Sequence, residues 1–304
     1  MATELLNTLM QKIQAHRAAL TPKGRMLSEQ IIANPRKVVF MSIRDFAEYC
    51  GVSEATVVRF VGQLGFKGYN DFQQALREVV DVELTLLERL DFTDINAPGG
   101  ELFNRLVHEE IENLKRLHET MDLNAADRVV NMLWQKRDVY VIGSRLSYTF
   151  AYYLGWSLGK VRPGVQILRG SDTTTIDQLT IAPPGLLAVL LATTRYPNDL
   201  LRLAKVVRRL DHTLVVIADG SNCPLIQFAH ESLVVPPSNI PFISNPSALS
   251  CLINFLVQQL ASMLQGDELT AHQSKLEHCF LENDLLFNLT IENDTKKLTR
   301  IATG

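Results

Sequence analysis

Long hydrophobic runs are missing from this sequence: one of the longest covers 186–192, against the roughly 20 residues that a helix needs to cross a bilayer. No membrane span is expected. Cysteine is scarce, with 4 in 304 residues. Cys50, Cys223, Cys251 and Cys279 are scattered without a C-x-x-C pair, which argues against a disulfide scaffold or a cysteine-built zinc site and leaves reduced, mostly buried thiols as the expectation. With 16 Gly and 12 Pro, collagen-like and low-complexity readings fall away. Neither sign of charge dominates, since 30 Lys and Arg face 33 Asp and Glu. Nothing therefore draws the whole chain to nucleic acid, and any such binding must come from a local surface. The start carries Glu4, Lys12 and Arg17 within a periodic apolar pattern, unlike a secretion signal, so the expected location is the cytoplasm.

What is present is an ordinary globular composition, 46% hydrophobic and 21% charged, over a length that suits two domains at about 100–200 residues each. Residues 1–81 read as short helices with sharp punctuation. Leu5, Leu6, Leu9, Met10 and Ile13 follow helical spacing. Thr21-Pro22 reads as an N-cap with proline at the first helical position, and Asn34-Pro35 closes that helix. Further helices start at Ser42, with Asp45 as a capping-box partner, at Ser53, and near Asn70. Asn96-Ala97-Pro98-Gly99-Gly100 is a turn-rich signal within a linker and connecting helix assigned to 82–124, whose apolar positions include Leu102, Leu106, Ile111, Leu114 and Leu117.

Over 125–265 the rhythm changes. Short apolar runs at 139–142, 165–168, 186–192, 214–218 and 233–235 alternate with helical patterns at 149–160, 172–180, 198–210, 224–230 and 248–263. Runs with so little polar alternation read as strands buried on both faces, and the alternation predicts a parallel five-stranded sheet flanked by helices. The fold class is thus an all-α N-terminal domain plus an α/β C-terminal domain. The tail, 266–304, carries Leu276, Leu281, Leu285, Leu286 and Leu289 and reads as helix.

The most informative segment is 42–64, SIRDFAEYCGVSEATVVRFVGQL. Two helices that cross steeply need a small residue at the contact, a glycine able to take positive φ in the turn, and an apolar residue pointing into the shared core. Ala47, Gly51 and Val57 fill these roles, with Phe46, Cys50, Val52 and Phe60 as further core. Ser53, Glu54, Thr56 and Arg59 face outward. A helical hairpin of any small bundle shares this spacing, but the segment from Thr21 to Arg77 holds eight Lys or Arg against five Asp or Glu, a local basic excess. The pattern predicts a helix-turn-helix contacting duplex DNA through Ser42, Arg44, Ser53, Thr56, Arg59, Lys67 and Tyr69.

The ordered stretches Leu20-Thr21-Pro22, Ile31-Ile32-Ala33-Asn34-Pro35, Phe40-Met41-Ser42-Ile43-Arg44, Val52 to Phe60, and Leu64-Gly65-Phe66-Lys67-Gly68-Tyr69 resemble the N-terminal domain of RpiR-type transcription factors. The resemblance implies a C-terminal sugar isomerase (SIS) domain, which the βαβ series after 125 looks like.

In open parallel sheets ligands sit beyond the carboxyl ends of the strands. The segments there hold Ser144, Arg145, Ser147, Ser171, Thr173, Thr193, Thr194 and Arg195, the expected effector-binding residues. Hydroxyls and helix N-termini suit a phosphate or polyol, although strand-to-helix turns and caps require the same residue types. SIS domains that bind phosphorylated sugars usually carry Gly-x-Gly-x-Ser in the first loop and Ser-x-Ser-Gly-x-Thr in the third. Gly143 and Ser147 match the first pattern, with Arg145 in place of its second glycine. In the third loop Thr193 fits, whereas Arg195 stands for Ser, Tyr196 for Gly and Asn198 for Thr.

No catalytic set emerges. There is no Gly-x-Ser-x-Gly elbow and no Walker loop; Asp172, Asp177 and Asp219 sit where carboxylates cap helices; His272, His278 and Cys279 lack a metal-ligand series. The expected function is a DNA-binding transcriptional regulator that senses a small metabolite, a sugar phosphate or another anionic or hydroxylated compound, without cofactor or metal. It would act as a homodimer or dimer of dimers on an inverted repeat, because one recognition helix reads only a few base pairs. A sugar-phosphate isomerase with a helical appendage and a ligand-independent DNA-binding scaffold are the alternatives.

Overall fold

A computed structural model describes residues 13, 20–39, 41–80, 99–170, 172–193, 195–237, 246–264 and 266–285. Of the first apolar series only Ile13 falls among them, and it is buried. Leu286, Leu289, Ser171, Thr194 and the Asn96-Ala97-Pro98 part of the linker lie outside the described residues.

The N-terminal unit runs α1 (Pro22–Ala33), α2 (Pro35–Val38), α3 (Ile43–Tyr49), α4 (Glu54–Gln63) and α5 (Tyr69–Val80). Local chemistry fixes the boundaries. Thr21 accepts the Gly24 N–H at 3.2 Å to open α1. Ser42 and Asp45 form a complete capping box at α3, with the Asp45 N–H donating to Ser42 Oγ at 3.1 Å and the Ser42 N–H donating to Asp45 Oδ2 at 3.2 Å. Gly51 then takes φ +63°, while its N–H and that of Val52 donate to the carbonyls of Glu48 and Ala47. This Schellman arrangement ends α3 and turns the chain into α4. Phe46, Val57, Phe60, Phe72 and Leu76 fill the core, and burying each such side chain contributes about 1.5–3 kcal/mol.

Gly99 and Gly100, expected in the linker, instead open α6 (Gly99–Thr120), and α7 (Leu123–Gln135) follows. The sheet unit continues as β1 (Val139–Gly143), α8 (Ser147–Gly159), β2 (Val165–Arg169), α9 (Thr174–Ile181), β3 (Leu187–Ala192), α10 (Asn198–Arg209), β4 (Thr213–Ala218) and β5 (Glu231–Val234). Then come α11 (Pro246–Met263) and α12 (Gly266–Glu282). All pairings are parallel, in the order β2-β1-β3-β4-β5. Alternate residues feed two cores. Val139, Val141, Val189 and Ile217 face α7, α8 and α11, whereas Ile142, Leu190 and Val216 face α9 and α10.

Three expectations need correction. The 224–230 pattern forms only a single 3-10 turn, Ile226–Phe228, because the chain must enter β5 at Glu231 and His230 Nδ1 is already engaged by the Leu214 N–H. The edge strands β2 and β5 are only partly buried, since each has a neighbour on one side. Only Cys50 and Cys223 are buried, while Cys251 and Cys279 are exposed. Among the described residues no single helix is long and apolar enough to cross a membrane.

Candidate nucleic-acid interface and effector site

The second helix of the hairpin, α4, buries Val57, Phe60 and Val61 and turns Glu54, Ala55, Val58, Arg59 and Gln63 outward. Arg59 is exposed, its Nε donating to the Ala55 carbonyl at 3.3 Å. Ser53 and Thr56 hydroxyls lie 2.9 Å apart at the start of α4. Arg44 and Lys67 are exposed, and the Lys67 N–H is fixed by Asp71 at 2.9 Å. Ser42 is committed to its capping box.

Tyr69 is a correction. It is 6% exposed, stacks on Phe46 and donates its hydroxyl to the Met41 carbonyl at 3.0 Å, so it braces the start of α3 instead of projecting toward a ligand. The sequence reading also missed two outward residues. Val58 is 48% exposed on α4, where an apolar side chain can meet a thymine methyl, and Tyr49 is 40% exposed beneath Lys37 Nζ. The signal for Val58 was available, because the 3.6 period places it off the buried stripe.

In the α/β unit the strand order reverses between β1 and β3, which makes the edge beyond Gly143 and Ala192 the switch point of the sheet, the place where ligands bind in such folds. Ser144 and Ser147 are both buried. Ser147 Oγ accepts the Ser144 N–H at 3.0 Å and donates to the Ser144 carbonyl at 2.8 Å, so this hydroxyl shapes the loop and does not face outward as expected. Ser144 Oγ is buried without a hydrogen-bond partner. Arg145 and Arg195 are exposed and hold left-handed backbones, φ +55° and +67°. Thr193 is buried and Thr173 exposed.

Tyr196, which stands where the third-loop pattern has a glycine, reaches the loop after β4, 3.3 Å from both Asp219 Oδ1 and Asn222 Oδ1. Asp219 is 1% exposed, and this cross-loop contact had no sequence signal because it joins residues 23 apart. In the second loop, hydrogen bonds from the Thr174 backbone and hydroxyl hold the Asp172 carboxyl below its ordinary range. Burial pushes the Cys223 thiol up to about 12, which makes it an inert core group. Among the described residues no group of three or more His, Cys, Asp or Glu could hold a metal ion.

Together the two units define a class, a helix-turn-helix transcriptional regulator with a SIS-type α/β unit. A family model described as the helix-turn-helix domain of the rpiR family matches residues 7–81, and a SIS domain model matches residues 132–262. The chain is thus a helix-turn-helix transcriptional regulator that joins an rpiR-family DNA-binding domain to a SIS domain. The regulator HexR of Pseudomonas aeruginosa is 27% identical over 147 residues, so the match spans 48% of this chain and about half, 50%, of that relative. HexR of Escherichia coli is 24% identical over 226 residues, 73% of this chain and 75% of that protein. Among solved structures, the Vibrio vulnificus NanR protein complexed with ManNAc-6P shares the fold with a TM-score of 0.55 at 22% identity, over 92% of this chain and 100% of that one. The sugar isomerase domain of an RpiR transcription factor from Sphaerobacter thermophilus gives 0.54 at 21% identity, over 59% and 99%.

Proposed function

We propose that this regulator reads duplex DNA sequence-specifically through the outer face of α4, with Arg59, Thr56, Ser53 and Val58 at base edges and Arg44 and Lys67 on flanking phosphates. The observation that carries this is the split of α4, whose apolar stripe is sealed in the core while Arg59 and Val58 stand exposed. Residues 1–81 are the DNA-reading part, 82–124 the connection, 125–265 the sensor and 266–304 a tail. Arg59→Ala should weaken binding to the best operator by about 1–3 kcal/mol at fixed salt, whereas Lys67→Ala should weaken all sequences alike and flatten the salt dependence. Wild-type affinity for that operator equal to its affinity for random DNA would sink the reading.

The α/β unit is a sensor that acts in the cytoplasm and does not convert its ligand. Its effector is a phosphorylated sugar bound beyond β1 and β3, a reading supported by the fold shared with NanR, which was solved with ManNAc-6P, and by the buried, unpartnered Ser144 hydroxyl in the loop after β1. The carboxylates at this edge have structural tasks: Asp172 holds Thr174, and Asp219 faces the Tyr196 hydroxyl. Turnover of any bound sugar phosphate would favour the isomerase alternative.

The regulator is a homodimer reading an inverted repeat. Phe103, Val107, Ile111 and Leu114 form an exposed apolar stripe along α6, and Tyr152 and Trp156 are exposed on α8, surfaces suited to a second copy. Sedimentation with and without operator should show at least a dimer; a monomer in both conditions would exclude it.

A further inference from the structure

We propose that Arg145 and Arg195 form a two-point anion clamp, and that the effector carries two separated anionic groups, a phosphate and a second acid, instead of a single phosphate. The inference rests on the sensor reading above and adds the chemical class of the ligand.

The two arginines leave adjacent parallel strands. β1 ends at Gly143 and β3 at Ala192, and the register Ile142↔Leu190 keeps their carboxyl ends level, so the loops that carry the two arginines leave the same edge of the sheet side by side at the switch point. Both side chains are exposed, and neither has a hydrogen bond or an ion pair among the described residues. The acidic residues of the same edge do not neutralise them: Asp172 is bonded to Thr174, and Asp219 is buried facing Tyr196. Beside Arg145, Ser144 holds a buried hydroxyl with no partner, a polar group whose burial is unfavourable until something bonds to it.

Backbone conformation adds an independent argument. At φ +55° and +67° both positions sit where an L side chain is strained and glycine is at ease. Nothing in the described packing rewards an arginine at either place. Backbone strain of this kind clusters at ligand-binding sites, and both arginines lie at the switch point of the sheet. A guanidinium grips a carboxylate or phosphate through paired N–H donors, and two of them on neighbouring loops match a ligand with charge at two points.

The test is calorimetry on the full chain with four probes: glucose 6-phosphate, 6-phosphogluconate, fructose 1,6-bisphosphate and gluconate. The clamp predicts that 6-phosphogluconate or the bisphosphate binds at least tenfold more tightly than glucose 6-phosphate or gluconate. It predicts that Arg145→Gly and Arg195→Gly each remove that preference, while thermal unfolding stays at or above the wild-type temperature because the backbone strain is relieved. Equal affinity for the singly and doubly charged probes overturns the clamp and leaves the sugar-phosphate sensor standing. A preference that survives both glycine substitutions overturns the assignment to these arginines. Binding of none of the four overturns the clamp and the sensor reading together.

Discussion

Arg162→Ala should destabilise the α/β unit by about 3–5 kcal/mol, lowering its unfolding temperature by roughly 6–20 °C. Arg162 is only 9% exposed, and burial pulls its guanidinium pKa down, yet the side chain is held by carbonyls alone. It donates to Leu133 at the end of α7, to Lys136 at 2.6 Å, to Arg137 at 2.7 Å and to its neighbour Pro163 at 3.1 Å. A helix end leaves carbonyls without partners, and a cation there also meets the negative end of the helix dipole. Truncation strands several of those acceptors at once, each costing about 1–3 kcal/mol when it stays dry. Arg162→Lys keeps the charge but lacks the planar fork, so it should recover less than half of the loss. Thermal and urea unfolding of both variants decide the matter, and an alanine variant within about 1 kcal/mol of wild type would show that water replaces the guanidinium.

Gly143→Ala carries the second large effect, about 2–3 kcal/mol of stability together with loss of effector response. An added Cβ would lie 2.5 Å from the Ser147 carbonyl oxygen and 2.7 Å from Tyr148 Cα. Both are backbone atoms of the first turn of α8, so no side chain can swing aside and the helix itself must retreat. The Ser144–Ser147 hydrogen bonds then break and the first loop loses its shape. DNA binding by the N-terminal unit should persist in a titration at 25 °C, because that unit has a separate core. An alanine variant with the wild-type unfolding temperature and unchanged calorimetric response would mean that α8 is free to shift.

The two predictions differ in how far the sequence foreshadows them. Gly143 stands where the SIS loop pattern places a glycine, so its importance could be read directly. Arg162 could not be found that way, because three of its four acceptors lie 25 to 29 residues upstream and only folding brings them together. The same contrast runs through both candidate sites. The Ser42–Asp45 box, the Gly51 turn and the buried stripe of α4 involve residues within a few positions of one another, and their chemistry is complete in the local sequence. Tyr69 was misread because its ring is claimed by Phe46 and Phe72 and its hydroxyl by Met41, 28 residues away. Helix α7 was unassigned although Ala125, Ala126, Val129, Val130 and Leu133 carry a helical stripe, since small alanines weaken the apolar contrast that marks such a face.

By itself, then, the sequence determined the order of the strands, most of the helices, the parallel sheet and the helix-turn-helix hairpin, because periodicity, caps and turn residues act over a turn or two of chain. Only the tertiary structure decided which hydroxyl is buried without a partner, which is consumed by its own loop, and which two arginines hold left-handed backbones. Those outcomes depend on which groups are brought within hydrogen-bonding reach when distant strands pair and helices close over them. A string of residue types does not contain that information until the sheet has set the distances.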